Sequence, residues 1–457
     1  MKIKNKKNFY IKTNNFLRTY QSKEIIGIPY LNPHVPRTIF LKNKIRFNFF
    51  KKIVNFLFRP LNLNKDYNFF KDINFKYIIL SHFVSYDHLS YNNDFYFGDL
   101  AEKLGHKKVL FILIDHIGFD RKKLKKKIRG NYIILSKSSD FFDEFKMSFL
   151  TFFKIFYHQL FNNELKILNL NNIIGSIENQ RISMKLRKIF KNIKFENFFF
   201  TFEGNPYEKL VCNEVRSINK NIIRVGYQFS VLRKFQHSIY QKINKNYEPD
   251  LILTIGAHNK RILESNFRKR MNIHNTGFLK FKEKEKNLIK IKNNKKIRIL
   301  VMPEGIQSEI ELFIEYCLNN LDKKIRFNFR MHPIFKKSFF VDQIINDKNT
   351  NIKISNNSLE YDFRNNDFIL YRGTAAVLNS LKYNLVPIYL SKKNEISVDP
   401  LFSFNKFHII RFEDNLSKFI INDSSKKKFI NEQKKLKNFS RVFYEKPKYK
   451  KIISILN

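Results

Sequence analysis

The side chains able to do chemistry recur in this sequence at one kind of place, where a short apolar run gives way to a turn. Glu203 follows the run FENFFFTF at 195–202 and precedes a Gly-Asn-Pro turn. A carboxylate there can take the proton of a hydroxyl nucleophile as a general base. Gly204 opens the turn and Glu208 stands one turn into the next helix, placed to hold a substrate, although an acid in a first turn also simply favours the helix dipole. Tyr227 and Gln228 end the run IIRVGYQ, and with Arg233 and His237 further on they offer groups suited to sugar hydroxyls.

Three later segments carry chemistry of another kind. YRGTAAVLNSLKYNLVPIYL at 371–390 sets Arg372 at a strand end, Gly373 where the backbone can approach a ligand, and Thr374 and Ala375 at a helix start. Free N–H groups, a hydroxyl and a guanidinium together suit a phosphate or diphosphate. The spacing is neither that of a P-loop nor of GxGxxG, so it points to nucleotide binding without ATP hydrolysis or hydride transfer. A plain tight turn is the other reading. RMHP at 330–333 places Arg330 and His332 at a second strand end, cut off by Pro333. MPEG at 302–305 places Glu304 and Gly305 at a third, where a carboxylate can bind ribose or sugar hydroxyls.

These residues need a scaffold, and the apolar runs supply one. KYIILSHF at 76–83, KKVLFILID at 107–115 and NYIILSK at 131–137 read as strands, followed by the 195–204 and 222–230 runs, EPDLILTIGA at 248–257 and NTGF at 275–278. A second series runs through KKIRILVMPEG at 295–305, KIRFNFRMHP at 324–333, NIKISNN at 351–357, DFILYRGTAA at 367–376, LVPIYLS at 385–391 and KFHIIRF at 406–412. Apolar strands alternating with helical segments, twice over, predict an α/β protein of two Rossmann-like doubly wound domains. The expected division is an irregular basic segment over 1–65, a first domain over 66–285 and a second over 290–457, with the lysine-rich stretch 281–296 as linker.

Glycine use supports a binding edge. The chain has 12 glycines in 457 residues, where ordinary usage of about 7% would give roughly 32. Half of them, Gly204, Gly226, Gly256, Gly277, Gly305 and Gly373, fall at predicted strand ends. In an open parallel sheet that edge is where ligands bind.

Composition bounds the classes. A hydrophobic fraction of 43% is too high for a disordered chain, despite a net charge of +46. The charge accompanies Lys, Asn, Ile, Phe and Tyr enrichment of the kind an AT-biased coding sequence produces, and it favours anionic partners without naming one. Cys212 and Cys317 show no metal or disulfide spacing, and no uninterrupted apolar run reaches about 18 residues, so a cytoplasmic protein is expected. The segment 140–161 reads as an aromatic amphipathic helix, first as a core helix and second as a surface resting on anionic lipid. Basic runs at 42–52 and 121–129 raise nucleic-acid binding as a different class, but no binding module accompanies them.

As an ordered set, TFEGNPYEKL, GYQFS with FQHSI, PDLILTIG, MPEG with Glu309, RMHP and YRGTAAVLNSLKYNLVPIYL resemble the surface-carbohydrate biosynthesis proteins of the GT-B glycosyltransferase type, over roughly 195–395. The resemblance implies two Rossmann-like domains facing a cleft, with a nucleotide sugar held by the second and a glycan or lipid-linked glycan acceptor by the first. It implies no cofactor and no metal, the diphosphate being stabilised by Arg372, Gly373, Thr374 and Ala375, with Arg330 and His332. Glu203 then takes the base position. The family pattern has His where this chain has Phe229, and His237 is the nearest substitute. Nucleotide-sugar epimerases and glycerophosphate-type transferases share this architecture. An enzyme of lipopolysaccharide, O-antigen or capsule assembly at the inner face of the membrane is the expectation, with no specific nucleic-acid partner.

Overall fold

The computed structural model describes residues 23–27, 73–86, 94–118, 130–135, 141–161, 170–234, 239, 243–268, 270–280, 296–332, 351–383, 385–393, 395, 397–404, 408–421 and 435–456. The expected linker at 281–296 lies outside them except for Lys296, as do His237, Pro333 and both basic runs; of the 1–65 segment only 23–27 are described. Two compact units divide the chain, residues 1–229, 236–282 and 444–457 forming one, and 230–235 with 283–443 the other. The expected second domain over 290–457 thus loses its last stretch to the first unit and gains 230–235.

The first unit carries β1 (Tyr77–Phe83), β2 (Val109–Asp115), β3 (Tyr132–Leu135), β4 (Asn197–Thr201), β5 (Ile223–Gln228), β6 (Leu251–Thr254) and β7 (Asn272–Asn275). They lie in the order β3-β2-β1-β4-β5-β6-β7, each pair parallel. Every side chain of β1, β2 and β4 is buried. Continuous apolar runs are what a parallel sheet covered on both faces requires. The helices are α1 (Lys23–Ile26), α2 (Leu100–Leu104), α3 (Phe141–Phe161), α4 (Leu170–Phe190), α5 (Pro206–Ile218) and α6 (Ala257–Phe267).

The second unit has β8 (Ile297–Met302), β9 (Ile325–Phe329), β10 (Ile352–Ile354), β11 (Phe368–Tyr371), β12 (Val386–Ser391) and β13 (Ile409–Arg411), with α7 (Gln307–Leu318), α8 (Leu359–Asn365), α9 (Ala376–Ser380) and α10 (Leu416–Ile421). Its order is β10-β9-β8-β11-β12-β13, again all parallel. Ile299, Val301, Phe313, Phe327, Leu370 and Ile388 form the centre of its core. The expected pair of doubly wound α/β sheets is therefore present. In each, the chain reverses direction of progress once, between β1 and β4 in the first sheet and between β8 and β11 in the second. Loops leaving the carboxyl ends diverge at such a point and open a crevice for ligands.

The final helix, α11 (Tyr449–Leu456), belongs to the first unit. The segment before it lies beside the carboxyl ends of β6 and β7: Phe278 N donates to Glu445 O at 2.8 Å, and Lys448 N to Thr276 O at 2.8 Å. Glu445 Oε1 also accepts from the first N–H of α6, at Ala257, and from Asn275 Nδ2, both at 2.8 Å.

The aromatic segment forms α3 as expected, but it is not a core helix. Phe142, Phe145, Phe149, Phe152 and Phe156 are exposed. It turns Thr151 and Ile155 inward, and polar bonds tie it to α4: Glu144 pairs with Arg181, and Gln180 donates to Thr151 at 2.9 Å.

Candidate functional site

At the switch point of the second sheet, MPEG, RMHP and YRGT converge. β8 ends at Met302 and delivers Glu304 and Gly305 to the edge; β9 ends at Phe329 and delivers Arg330 and His332; β11 ends at Tyr371 and delivers Arg372 and Gly373. A Cβ added to Gly305 would stand 3.0 Å from His332 Nδ1, so the absence of a side chain there lets the imidazole lie against the loop. His332 is half-buried, and burial lowers its pKa. Arg233, from the short stretch that belongs to this unit, spans the switch: Nη2 donates to Gly373 O at 3.0 Å and lies 3.9 Å from Glu304 Oε1. The side chains of Arg233 and Glu304 are largely but not wholly buried.

The structure corrects the two other arginines expected to meet phosphate. Arg372 is buried; it pairs with Glu395, lies 3.6 Å from Glu309, and donates to Leu390 O at 3.2 Å. Two carboxylates face it, Glu309 buried in the first turn of α7 and Glu395 at the surface. Arg330 is held by buried Asp362 at 2.7 Å and by Asn357 O at 2.6 Å. The helix after Gly373 is also shorter than expected. Only Ala376–Ser380 is α-helical, and Thr374 Oγ1 accepts from Ala376 N at 3.3 Å, capping its own turn. Ala375 is exposed at the N-cap. A five-residue helix supplies little dipole, so Thr374 and Ala375 do not form the anion site on their own.

The first sheet presents a different set. Glu203 lies half-buried beyond β4. Glu208 is fully buried, and its carboxylate accepts N–H bonds from Glu203 at 3.0 Å, Gly204 at 2.8 Å and Asn205 at 2.9 Å. Its work is to close the turn that aims Glu203, which replaces the expected substrate contact. Burial, and then the charge of Glu203, push its pKa up to about 8 against those N–H groups. Gly204, at φ +90, takes the left-handed conformation the turn demands. Tyr227 and Gln228 are wholly buried. Tyr227 accepts from Leu279 N at 3.0 Å, and Gln228 from Asn259 at 2.7 Å, so neither is presented to an acceptor. A Cβ on Gly226 would stand 3.0 Å from Phe202, and one on Gly277 2.1 Å from Lys446 O; both glycines serve the fold rather than a ligand.

Two histidines that sequence reading passed over stand at this edge. His82 is the penultimate residue of β1 and His116 follows β2. His82 Nδ1 lies 2.7 Å from His116 Nε2, and Tyr207 OH lies 2.9 Å from His82 Nε2. Burial, with the neighbouring His116, lowers the His82 pKa to about 3, so it is neutral over the physiological range. A neutral imidazole with a partner on each nitrogen donates through one and accepts through the other. His116 is exposed and Tyr207 buried, so the three groups form a hydrogen-bonded chain from the surface to a buried hydroxyl, which also meets Thr201 Oγ1 at 3.3 Å. Tyr96 packs on His82 with centroids 5.2 Å apart and on Phe229 at 4.6 Å. Phe229 thus lies in an aromatic cluster with Tyr96 and Tyr227, and Tyr96 joins it to His82.

No protein-family model matches the chain, and no curated protein matches it. Solved structures are similar in overall arrangement. A glycotransferase of kitacinnamycin is 8% identical over 84% of this chain and 99% of its own, with a TM-score of 0.46. The UDP-GlcNAc 2-epimerase from Neisseria meningitidis, bound to UDP-GlcNAc, is 11% identical over 83% and 98%, at 0.45. A lipopolysaccharide outer core galactosyltransferase is 12% identical over 83% and 98%, at 0.45. Identities of 8 to 12% at these scores give no footing for carrying residues from one chain to another.

The signal that would have found the histidines was present. YIILSHF and VLFILIDH each carry a histidine at or just past the end of a largely apolar run, a pattern close to the one that marked Glu203. What was missing was the pairing of β1 with β2 over seven residues in register, Tyr77 opposite Val109 and Phe83 opposite Asp115, which sets the two rings side by side.

Proposed function

We propose that this protein is a glycosyltransferase, taking a sugar from a nucleotide-activated donor at the carboxyl edge of the second sheet and passing it to a hydroxyl of a surface-glycan acceptor at the edge of the first. The observation that carries this is the convergence of Arg233, Glu304, Gly305, His332 and Gly373 at the β8/β11 switch. A guanidinium and an imidazole beside a carboxylate suit a diphosphate joined to a polyhydroxylated ring. Arg233 takes the role first expected of Arg372. In the reaction the acceptor oxygen bonds to the anomeric carbon as the bond from that carbon to the phosphate oxygen breaks. The acceptor's proton goes to the base, and the nucleotide phosphate leaves with its added charge, stabilised by the cationic edge without a bound metal. Glu203 is the base.

A thermal-shift screen against UDP-, GDP-, CMP- and dTDP-sugars tests the donor half. Ligand at a hundred times its Kd stabilises by about 2.7 kcal/mol, a readily measured shift. One nucleotide class should raise the melting temperature. Gly305→Ala, which displaces the His332 ring, and Arg233→Ala should each abolish the shift without lowering the ligand-free melting point by more than a few degrees. Glu203→Gln should keep the shift and lose transfer. Altered free sugar and nucleotide formed without acceptor would instead establish the epimerase, and steep salt-dependent RNA binding with no sugar-nucleotide response would establish the nucleic-acid reading.

A further inference from the structure

Helix α3 is amphipathic in the inverted sense. Of its described side chains, only Thr151 and Ile155 are fully buried. The side towards α4 is fastened by the Glu144–Arg181 and Asp143–Lys188 pairs, and Lys154 reaches Glu24 of α1 at 3.0 Å. The aromatic residues point away. Phe142 is 83% exposed, Phe161 70% and Phe145 62%. They are ordered into ladders at four-residue spacing, with centroids 6.1 Å apart for Phe145 and Phe149, 4.4 Å for Phe149 and Phe153, and 6.2 Å for Phe152 and Phe156. An uncovered apolar stripe of that extent marks an interaction surface.

Charge selects the occupant. Both acids of α3 are engaged by cations of α4, while Lys146 is exposed with the aromatic residues. A second copy would bring two chains of net charge +46 together, against their repulsion. Anionic lipid meets both demands: acyl chains and headgroups accept the rings, and phosphates accept the lysines. The helix has 21 residues, a length of roughly 30 Å. Yet among the described residues no helix is long and apolar enough to cross a membrane, so α3 would lie along the surface. We propose that α3 is an interfacial docking helix, its phenylalanine face seated in the headgroup region of an anionic bilayer. The proposal stands apart from the donor reading, since it needs no residue of either sheet edge.

The chain contains no Trp, so Phe149→Trp creates a unique fluorophore. With vesicles of phosphatidylcholine and phosphatidylglycerol, its emission should shift to the blue and be quenched by lipids brominated on the acyl chain; with phosphatidylcholine alone the response should be much weaker. In co-sedimentation of the full chain, the combined Phe145→Gln, Phe149→Gln and Phe153→Gln variant, which leaves net charge unchanged, should bind anionic vesicles at least roughly tenfold more weakly. Unshifted emission on vesicles that carry the protein down would assign the binding to diffuse charge and overturn the proposal. So would wild-type affinity in the triple variant. A wild-type dimer that the triple variant dissociates, with no vesicle binding, would overturn it in favour of a second copy.

Discussion

Arg233 and Arg372 meet the same sheet edge, and their surroundings divide the work between them. Arg372 is buried and lies between Glu309 and Glu395, and a guanidinium so matched is a structural pair. Arg233 is slightly more exposed and bridges Gly373 O, at 3.0 Å, and Glu304, at 3.9 Å. The same distinction separates Glu208, spent on three backbone N–H groups, from Glu203, which that turn presents. His82 gives the residue scale its pH prediction. Its folded pKa, about 3, lies below the ordinary 6.5, so the unfolded chain binds a proton over that range and the native state does not. The neutral ring's contribution is whole above pH 6.5 and is lost as pH falls towards 3, on the order of 4 kcal/mol in all. Denaturant unfolding of wild type and His82→Gln at pH 7, 5 and 4 should show the variant losing less stability on acidification; parallel curves would contradict it.

Helix and strand ends do the positioning, and the glycines show two ways an element can require one. Gly105 and Gly277 both have left-handed backbones, at φ +86 and +82. Around Gly105 a Cβ would meet nothing within 4 Å, whereas at Gly277 it would stand 2.1 Å from Lys446 O. Gly105→Ala should therefore cost only about 1 kcal/mol of backbone strain. Gly277→Ala should cost about 3 kcal/mol or more, because the segment carrying Glu445 must also move. Paired thermal melts decide this, and equal costs would refute the packing account. The strand ends that hold these residues were legible as apolar runs. The partner of each was not, because Gly226 packing on Phe202 and Gly305 packing on His332 are contacts between different strands, with no trace in either local stretch.

For the molecule as a whole, two sheets with separate cores make unfolding of the units separable. The return of 444–457 to the first unit gives that expectation a test. Deleting these residues removes α11 and the Glu445 carboxylate that caps α6. Hydrogen exchange should then rise in β6, β7 and α6 while β8, β11 and β12 stay protected; equal loss in both units would show that they unfold together. Net charge acts at this scale too. The +46 total weighs against a second copy of the chain, and the aromatic residues beside lysine on one face of α3 are what the proposed lipid docking rests on.

The order of apolar runs by itself determined that the chain builds two doubly wound parallel sheets and put polar residues at their carboxyl ends, because strand periodicity and burial on both faces are local properties. It also marked Glu203 and the MPEG, RMHP and YRGT segments as neighbours of a sheet edge. Only the tertiary structure decided which of those residues are spent on the fold, since burial and charge pairing depend on what other elements bring near. Arg372 and Arg330 meet internal carboxylates, Tyr227 and Gln228 turn inward, Arg233 joins the second unit, and His82 meets His116 because β1 and β2 pair in register. The aromatic helix follows the same rule. Its amphipathic period is written in the sequence, but which face turns outward was settled by what the fold brings against the other, where Thr151 and Ile155 are buried and Asp143 and Glu144 pair with α4.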